Sequence, residues 1–296
     1  DPTFKDALIR SSPGLFLQWL LPDIQNLNSY SANWHIHAMS EKLMGLYRGR
    51  ARRLIVNAPP RSLKTSTCTT FFIPWLLGKD PGFQIMLVTY SDEFAEHLGN
   101  QVRKIMRHPE YKRLFTDTQL VNEKARSTRL RTTKGGKVTI TSFHATMTGL
   151  GADYIIVDDP IQTNDVRSEV KMKDTVNRFK EGLYTRLNDP KSGRILLVMQ
   201  RIHPDDLTGE LLERREFEHL KLPAQFKEDT TYKMPFEKEH MAKAGDYLDP
   251  NRLGELEIAR TRKMLGEAAF AAQYMQDPIY PENDLVDLDK FNWFDP

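Results

Sequence analysis

At 296 residues, with 40% hydrophobic and 28% charged side chains and a formal net charge of +2, the chain has ordinary globular composition and room for one large α/β domain or about two smaller ones. Its single cysteine, Cys68, excludes an internal disulfide and any multi-cysteine metal site. The longest apolar run, Phe71 to Leu77, is broken by Pro74 and falls far short of the roughly 20 residues a membrane helix needs. The N-terminus, starting at Asp1, shows no secretory pattern, so a soluble chain in a reducing cytoplasm is the expectation.

The predicted elements alternate between strand and helix, which implies a mostly parallel sheet with helices on both faces. Arg53 to Asn57 is a short apolar strand, and Ser62 to Leu77 reads as a helix that Pro74 should kink or end. Gln84 to Tyr90 is a buried strand. Asp92 to Met106 has helical spacing in Phe94, Leu98, Val102 and Ile105. Leu130 to Ser142, interrupted by Gly135 and Gly136, reads as a β-hairpin. Asp153 to Asp158 and Arg194 to Met199 are further core strands. A long charged helix is expected over Asp165 to Leu187 and a shorter one over Asp205 to Arg214. Thr230 to Gly254 reads as irregular, and Leu256 to Met275 as one helix.

Charge is unevenly spread. Between Gln101 and Ile140 there are 11 Lys/Arg against 3 Asp/Glu, a block that suits a polyanionic partner. A charge run alone reads first as a solvated helix face. From Asp277 onward the chain is acidic, aromatic and Pro-containing, in the manner of a linker or docking tail.

Two segments carry chemistry. Ala58-Pro-Pro-Arg-Ser-Leu-Lys-Thr65 follows a strand and precedes a helix, the context of a phosphate-binding loop. Such a loop curls backbone N–H groups around phosphate oxygens at a helix N-terminus. Lys64 would reach the β- and γ-phosphates, and the Thr65 hydroxyl would bind Mg²⁺. The pattern G-x-x-x-x-G-K-[ST] is nevertheless departed from twice, at Ala58 and Leu63. The second segment, Tyr154 to Asp159, is an apolar strand ending in two carboxylates before Pro160. Asp158 suits a Mg²⁺ ligand and Asp159 a base that positions water. Arg61, within the loop, is a candidate for stabilising γ-phosphate charge in cis.

The order of these segments resembles the large terminase subunit of tailed phages over about residues 30 to 280. Trp34-His-Ile-His37 resembles that family's adenine-side segment, and Arg53 to Thr65 its Walker A, where Pro-Pro-Arg is typical. Thr148 to Pro160 resembles its Walker B block, and Met199 to Gly209 its coupling segment, which senses the γ-phosphate. Phe270 to Pro278 resembles its exit from the motor domain.

The resemblance implies a RecA-like (ASCE) P-loop NTPase over residues 1–280, with 1–50 as a helical, adenine-side segment and 281–296 as a linker toward a nuclease domain. It implies ATP and Mg²⁺ as cofactors. Nucleotide contacts would come from Trp34, His35, Pro59, Pro60, Arg61, Ser62, Leu63, Lys64, Thr65, Ser66, Gln200 and Arg201, with catalysis by Asp159, Arg61 and Lys64 and metal binding by Thr65 and Asp158. Its partners would be double-stranded DNA, held through phosphates, a portal protein, a small terminase subunit and further copies in a ring. The family often places an arginine finger where this chain has Leu150, so Arg201 or a residue of the basic stretch stands as a substitute. A helicase-like translocase and a nucleotide-binding scaffold without turnover are the alternatives.

Overall fold

The computed structural model describes residues 2–280 apart from 29, 31, 122–125, 146, 148 and 166–167. The expected linker, 281–296, lies outside the described residues, as does Thr148. Three helices open the chain: α1 (Pro2–Ser11), α2 (Pro13–Gln25) and α3 (Trp34–Tyr47). The strand β1 (Arg53–Asn57) leads through the loop at 58–65 and a π turn (Ser66–Thr70) into α4 (Phe72–Lys79). Then come β2 (Gln84–Thr89), α5 (Asp92–Arg107), α6 (Pro109–Leu114), β3 (Arg129–Arg131), β4 (Lys137–Ser142) and β5 (Tyr154–Asp158). After α7 (Glu169–Asn177) follow β6 (Arg194–Met199), α8 (Leu207–Glu213) and β7 (Glu218–Lys221). The hairpin β8 (Thr230–Lys233) and β9 (Glu239–Ala242) precedes α9 (Glu255–Leu265) and α10 (Glu267–Gln273).

The main sheet has seven strands in the order β3-β4-β2-β5-β6-β1-β7, and every pair is parallel except β3 with β4. Its central strands are near-continuous Val, Ile and Leu because both faces are covered. The period of two sorts them. Leu54, Val56, Ile85, Leu87, Ile156, Leu196 and Val198 pack against α2 to α5, while Ile55, Met86, Val88, Ile155, Val157, Ile195 and Leu197 face α7 and α8. A third, smaller core gathers Ala224, Leu253, Ile258, Phe270 and Met275. Among the described residues no helix is long and apolar enough to cross a membrane.

Four sequence expectations need correction. Pro74 neither ends nor kinks its helix. It sits third in α4, within the first turn, where a missing N–H costs nothing, and the irregularity falls before it, where Phe71 N–H reaches the Ser66 carbonyl at 3.0 Å. The long helix expected to Leu187 is α only to Asn177 and continues as a π turn over Arg178–Leu183 and a 3-10 turn over Tyr184–Arg186. The segment 230–254 is not irregular throughout, since it contains the β8–β9 hairpin. The last helix is two, divided at Gly266, whose φ of 79° is open to glycine and strained for other residues.

Candidate nucleotide-binding site

The parallel register brings the carboxyl ends of four strands to one edge. Thr89 pairs with Asp158, Asp158 with Val198, and Asn57 with Met199. Ligands of open α/β sheets bind outside such ends. The 58–65 loop leaves β1 at this edge. Ser62 closes it, its hydroxyl donating to the Pro59 carbonyl at 2.7 Å and its N–H at 3.4 Å. From α3, His35 donates its Nε2–H to the Ser62 carbonyl at 3.2 Å. Burial pulls the His35 pKa down to about 4, so the ring is neutral and serves as a fixed donor that holds the loop.

Arg61 and Leu63 both lie in the left-handed region, at φ 64° and 60°. Glycine adopts that conformation freely, whereas a side chain costs about 1–2 kcal/mol. The Leu63 side chain offsets part of that cost by packing against the core. Pro60 is half-buried and Arg61 is exposed at the apex. Lys64 is buried, Thr65 and Ser66 are half-buried, and the Thr67 N–H reaches the Leu63 carbonyl at 2.8 Å as the helical turns begin.

Loop and strand meet through two contacts. The Thr65 hydroxyl donates to Asp158 Oδ1 at 3.1 Å, and Lys64 Nζ stands 3.4 Å from Asp159 Oδ2. Asp158 is fully buried, and burial, reinforced by the charge of Asp159, pushes its pKa up to about 7 against the opposing pull of Thr69, Lys64 and Thr65. Thr69 acts by proximity, because neither its hydroxyl nor Asp158 Oδ2 completes a hydrogen bond. An orphaned, buried carboxylate oxygen beside a hydroxyl is a hard-oxygen donor set. It suits Mg²⁺, which takes one or two protein oxygens and completes its shell with water and phosphate. Asp159 lies beyond β5 at φ 43°, a left-handed position that Asp tolerates better than most residues. That turn separates the directions of the two carboxylates.

Cavities flank the loop. One of about 1090 Å³ is lined by Trp34, His35, Arg61, Ser62 and Leu63, with Asp249 and Arg252 among its other walls. Trp34, expected among the nucleotide contacts, is stacked on another side chain, its ring 4.1 Å from that of His240 on β9. A second cavity of about 270 Å³ joins Asp159 to Tyr90, Thr163 and Gln200, where Gln200 Nε2 donates to the Thr163 hydroxyl at 3.4 Å.

No family model matches the chain, and no curated protein matches it in sequence. Solved structures do. The large terminase of the thermophilic bacteriophage D6E superposes with a TM-score of 0.52 at 10% identity, over 83% of this chain and 53% of that one. The ATPase domain of the Thermus phage P74-26 large terminase, in a variant form, superposes with a TM-score of 0.50 at 13% identity, over 87% of this chain and 97% of that one. The chain has the fold of a large-terminase ATPase domain. It is RecA-like, and it spans about half the length of the D6E protein.

Within this terminase fold, Arg201 departs from its expected place. Its Nε pairs with Asp206 at 2.9 Å, and Nη2 donates to the His203 and Pro204 carbonyls. Asp206 in turn caps α8 by accepting from the Gly209 N–H at 2.9 Å. Arg201 is thus committed to bracing the segment after β6. The Gln276 side chain accepts from the Arg201 backbone N–H at 2.9 Å and ties that segment to the end of the terminase fold.

The sequence reading missed a buried network beneath the loop. Asn57 donates to the Met199 carbonyl at 3.0 Å and to the Thr208 hydroxyl at 3.1 Å, while its Oδ1 accepts from His219 Nε2 at 2.7 Å. Burial lowers the His219 pKa to about 4. Only the polar residue ending the apolar strand β1 hinted at this, since β7 is too short and charged to stand out. Asp249 and Arg252, in a segment read as irregular, gave no signal either.

Proposed function

We propose that this chain is the ATPase motor of a large terminase, hydrolysing ATP with Mg²⁺ to drive double-stranded DNA into a phage procapsid. The observation that carries this reading is the joint approach of Thr65 to Asp158 and of Lys64 to Asp159 at the carboxyl edge of the sheet. Lys64 binds the β- and γ-phosphate charge. Thr65 and Asp158 would hold Mg²⁺, which when bound neutralises charge on the phosphate oxygens. Asp159 accepts a hydrogen bond from the attacking water and takes its proton. Arg61, exposed at the loop's apex, can turn toward the γ-phosphate.

Residues 1–280 form the motor unit in this reading. It works in the host cytoplasm as a ring on the portal protein, with the small terminase subunit as a second partner. Phosphate release by the whole chain, with Mg²⁺ and with chelator, tests the chemistry. Mg²⁺-dependent release that Lys64→Ala abolishes is the expected result. Release at the blank rate would favour a nucleotide-binding scaffold, and strand displacement a helicase-like translocase.

A further inference from the structure

Five cations fall within the twelve residues from Arg126 to Lys137, with no carboxylate and no aromatic residue among them. The fold sets this run at the rim of the sheet, where β3 is the outermost strand of its hairpin with β4. Leu130 pairs with Val138, and both are buried in the core that α5 closes. By the two-residue period, Arg129 and Arg131 point the other way, about 6.6 Å apart along the strand. Arg131 stands directly across from Lys137.

Like charges placed opposite each other destabilise a sheet. Among the described residues, none of Arg126, Arg129, Arg131, Lys134 and Lys137 forms an ion pair, whereas Arg113 on α6 is held by both Asp6 and Glu110. Asp80, near the hairpin turn, accepts from the Gly82 N–H at 2.8 Å and forms no ion pair with these cations among the described residues. Charged side chains often guard an edge strand against pairing with other chains. This edge needs little such guarding. Val121 N–H already reaches the Arg131 carbonyl and Thr133 N–H the Gln119 carbonyl, each at 2.9 Å, and Leu120 bridges to Thr132. The turn is also fixed, with Thr132 N–H on the Gly136 carbonyl at 2.9 Å.

We propose that the outer face of the β3–β4 hairpin, carrying Arg126, Arg129, Arg131, Lys134 and Lys137, is a contact surface for the phosphate backbone of double-stranded DNA. The proposal rests on the DNA-motor reading and adds to it the surface that grips. A rigid row of unpaired cations matches a duplex, which carries one charge per about 1.7 Å of axis. The lack of aromatic residues argues against a platform for single strands, which bind largely by base stacking. Contact of this kind holds the duplex without reading its sequence.

The test measures binding of the whole chain to a fluorescent 30-base-pair duplex across a salt series. R129Q/R131Q/K137Q should lower affinity about tenfold or more at low salt and flatten the log–log salt slope by about 2.7, at 0.9 per lost phosphate contact. The loss should be equal for duplexes of unrelated sequence. A charge-matched control, K191Q/K238Q/K263Q, should leave the slope nearly unchanged, and both variants should keep the parent's far-UV circular dichroism, which shows that the fold is intact. An equal loss in the control, or a parent slope in the hairpin variant, overturns the hairpin surface while leaving the motor reading intact. Tighter binding of a single strand than of the duplex overturns it too. A parent chain that hydrolyses ATP yet binds no duplex removes the proposal without touching the ATPase assignment.

Discussion

Lys64 and Asp159 face each other across the carboxyl edge of the sheet, with Nζ and Oδ2 3.4 Å apart. On the proposed reading, the lysine assigned to phosphate here pairs with the carboxylate assigned to water, and ATP must draw Lys64 away before Asp159 can act. Asp159→Asn should bind ATP at least as tightly as the parent and stop the chemical step, and Asn keeps the left-handed backbone that φ 43° demands. Lys64→Ala should lose both affinity and turnover. Nucleotide affinity and single-turnover hydrolysis check the pair. Near-parental hydrolysis by Asp159→Asn would remove it from the base role.

Leu63 occupies a backbone conformation that suits glycine. Leu63→Gly should relieve about 1 kcal/mol of strain, lose a comparable amount of packing, and keep nucleotide affinity within a few-fold. Leu63→Val should do worse on both counts, because a β-branched side chain tolerates positive φ least. Thermal unfolding and nucleotide titration of the two variants give the ranking. Equal tolerance of Val and Gly would mean that the loop does not keep this shape in solution.

Arg201 distinguishes a brace from a finger. Its partner Asp206 is buried and also caps α8, so Arg201→Ala leaves an unpaired buried charge, a loss on the order of 3–5 kcal/mol. The variant should unfold at markedly lower temperature with or without nucleotide. A variant with parental unfolding temperature but no hydrolysis would return Arg201 to the catalytic role.

How much of this was legible in the sequence depends on whether the signal was local. The strands β1 and β6 were placed to the residue, because buried parallel strands are short apolar runs between polar ends. The pairing of the 58–65 loop with Asp158 and Asp159 followed from motif order. The β8–β9 hairpin did not, since its alternation is weak and its partner, Trp34, lies about 200 residues away. The fate of Arg201 was equally hidden, because Asp206 is as plausible a solvated residue as a buried cap until the chain is folded. The left-handed φ of Leu63 was foreshadowed only by the glycine that the loop pattern puts there.

Buried His35 and half-buried His219 contribute most clearly to the acid sensitivity of the fold, and half-buried His37 is shifted in the same direction. Burial takes His35 and His219 from 6.5 in the unfolded chain to about 4 in the folded one. Between those values the unfolded chain holds two protons that the native chain lacks, so stability rises with pH and is lost on acidification from about 6.5 toward 4. Asp158 works in the opposite sense. Its pKa rises from 3.8 to about 7, so the native chain holds a proton there and this contribution falls as pH rises. Two protons against one leaves a net gain with pH of about 1.4 kcal/mol per unit from these three groups, and His37 adds to it in the same sense. Urea unfolding at pH 5.0 and 6.5 should show the parent more stable at the higher pH. H35Q/H219Q should weaken that trend strongly, because only His37, lowered by burial in the same sense, then opposes Asp158, and Asp158→Asn should steepen the parent's trend. If the double variant fails to fold, H35Q alone should flatten the dependence. An unaltered slope in either histidine variant would mean that these rings titrate near 6.5 in the native chain, and that His35 does not hold the Ser62 carbonyl as a buried neutral donor.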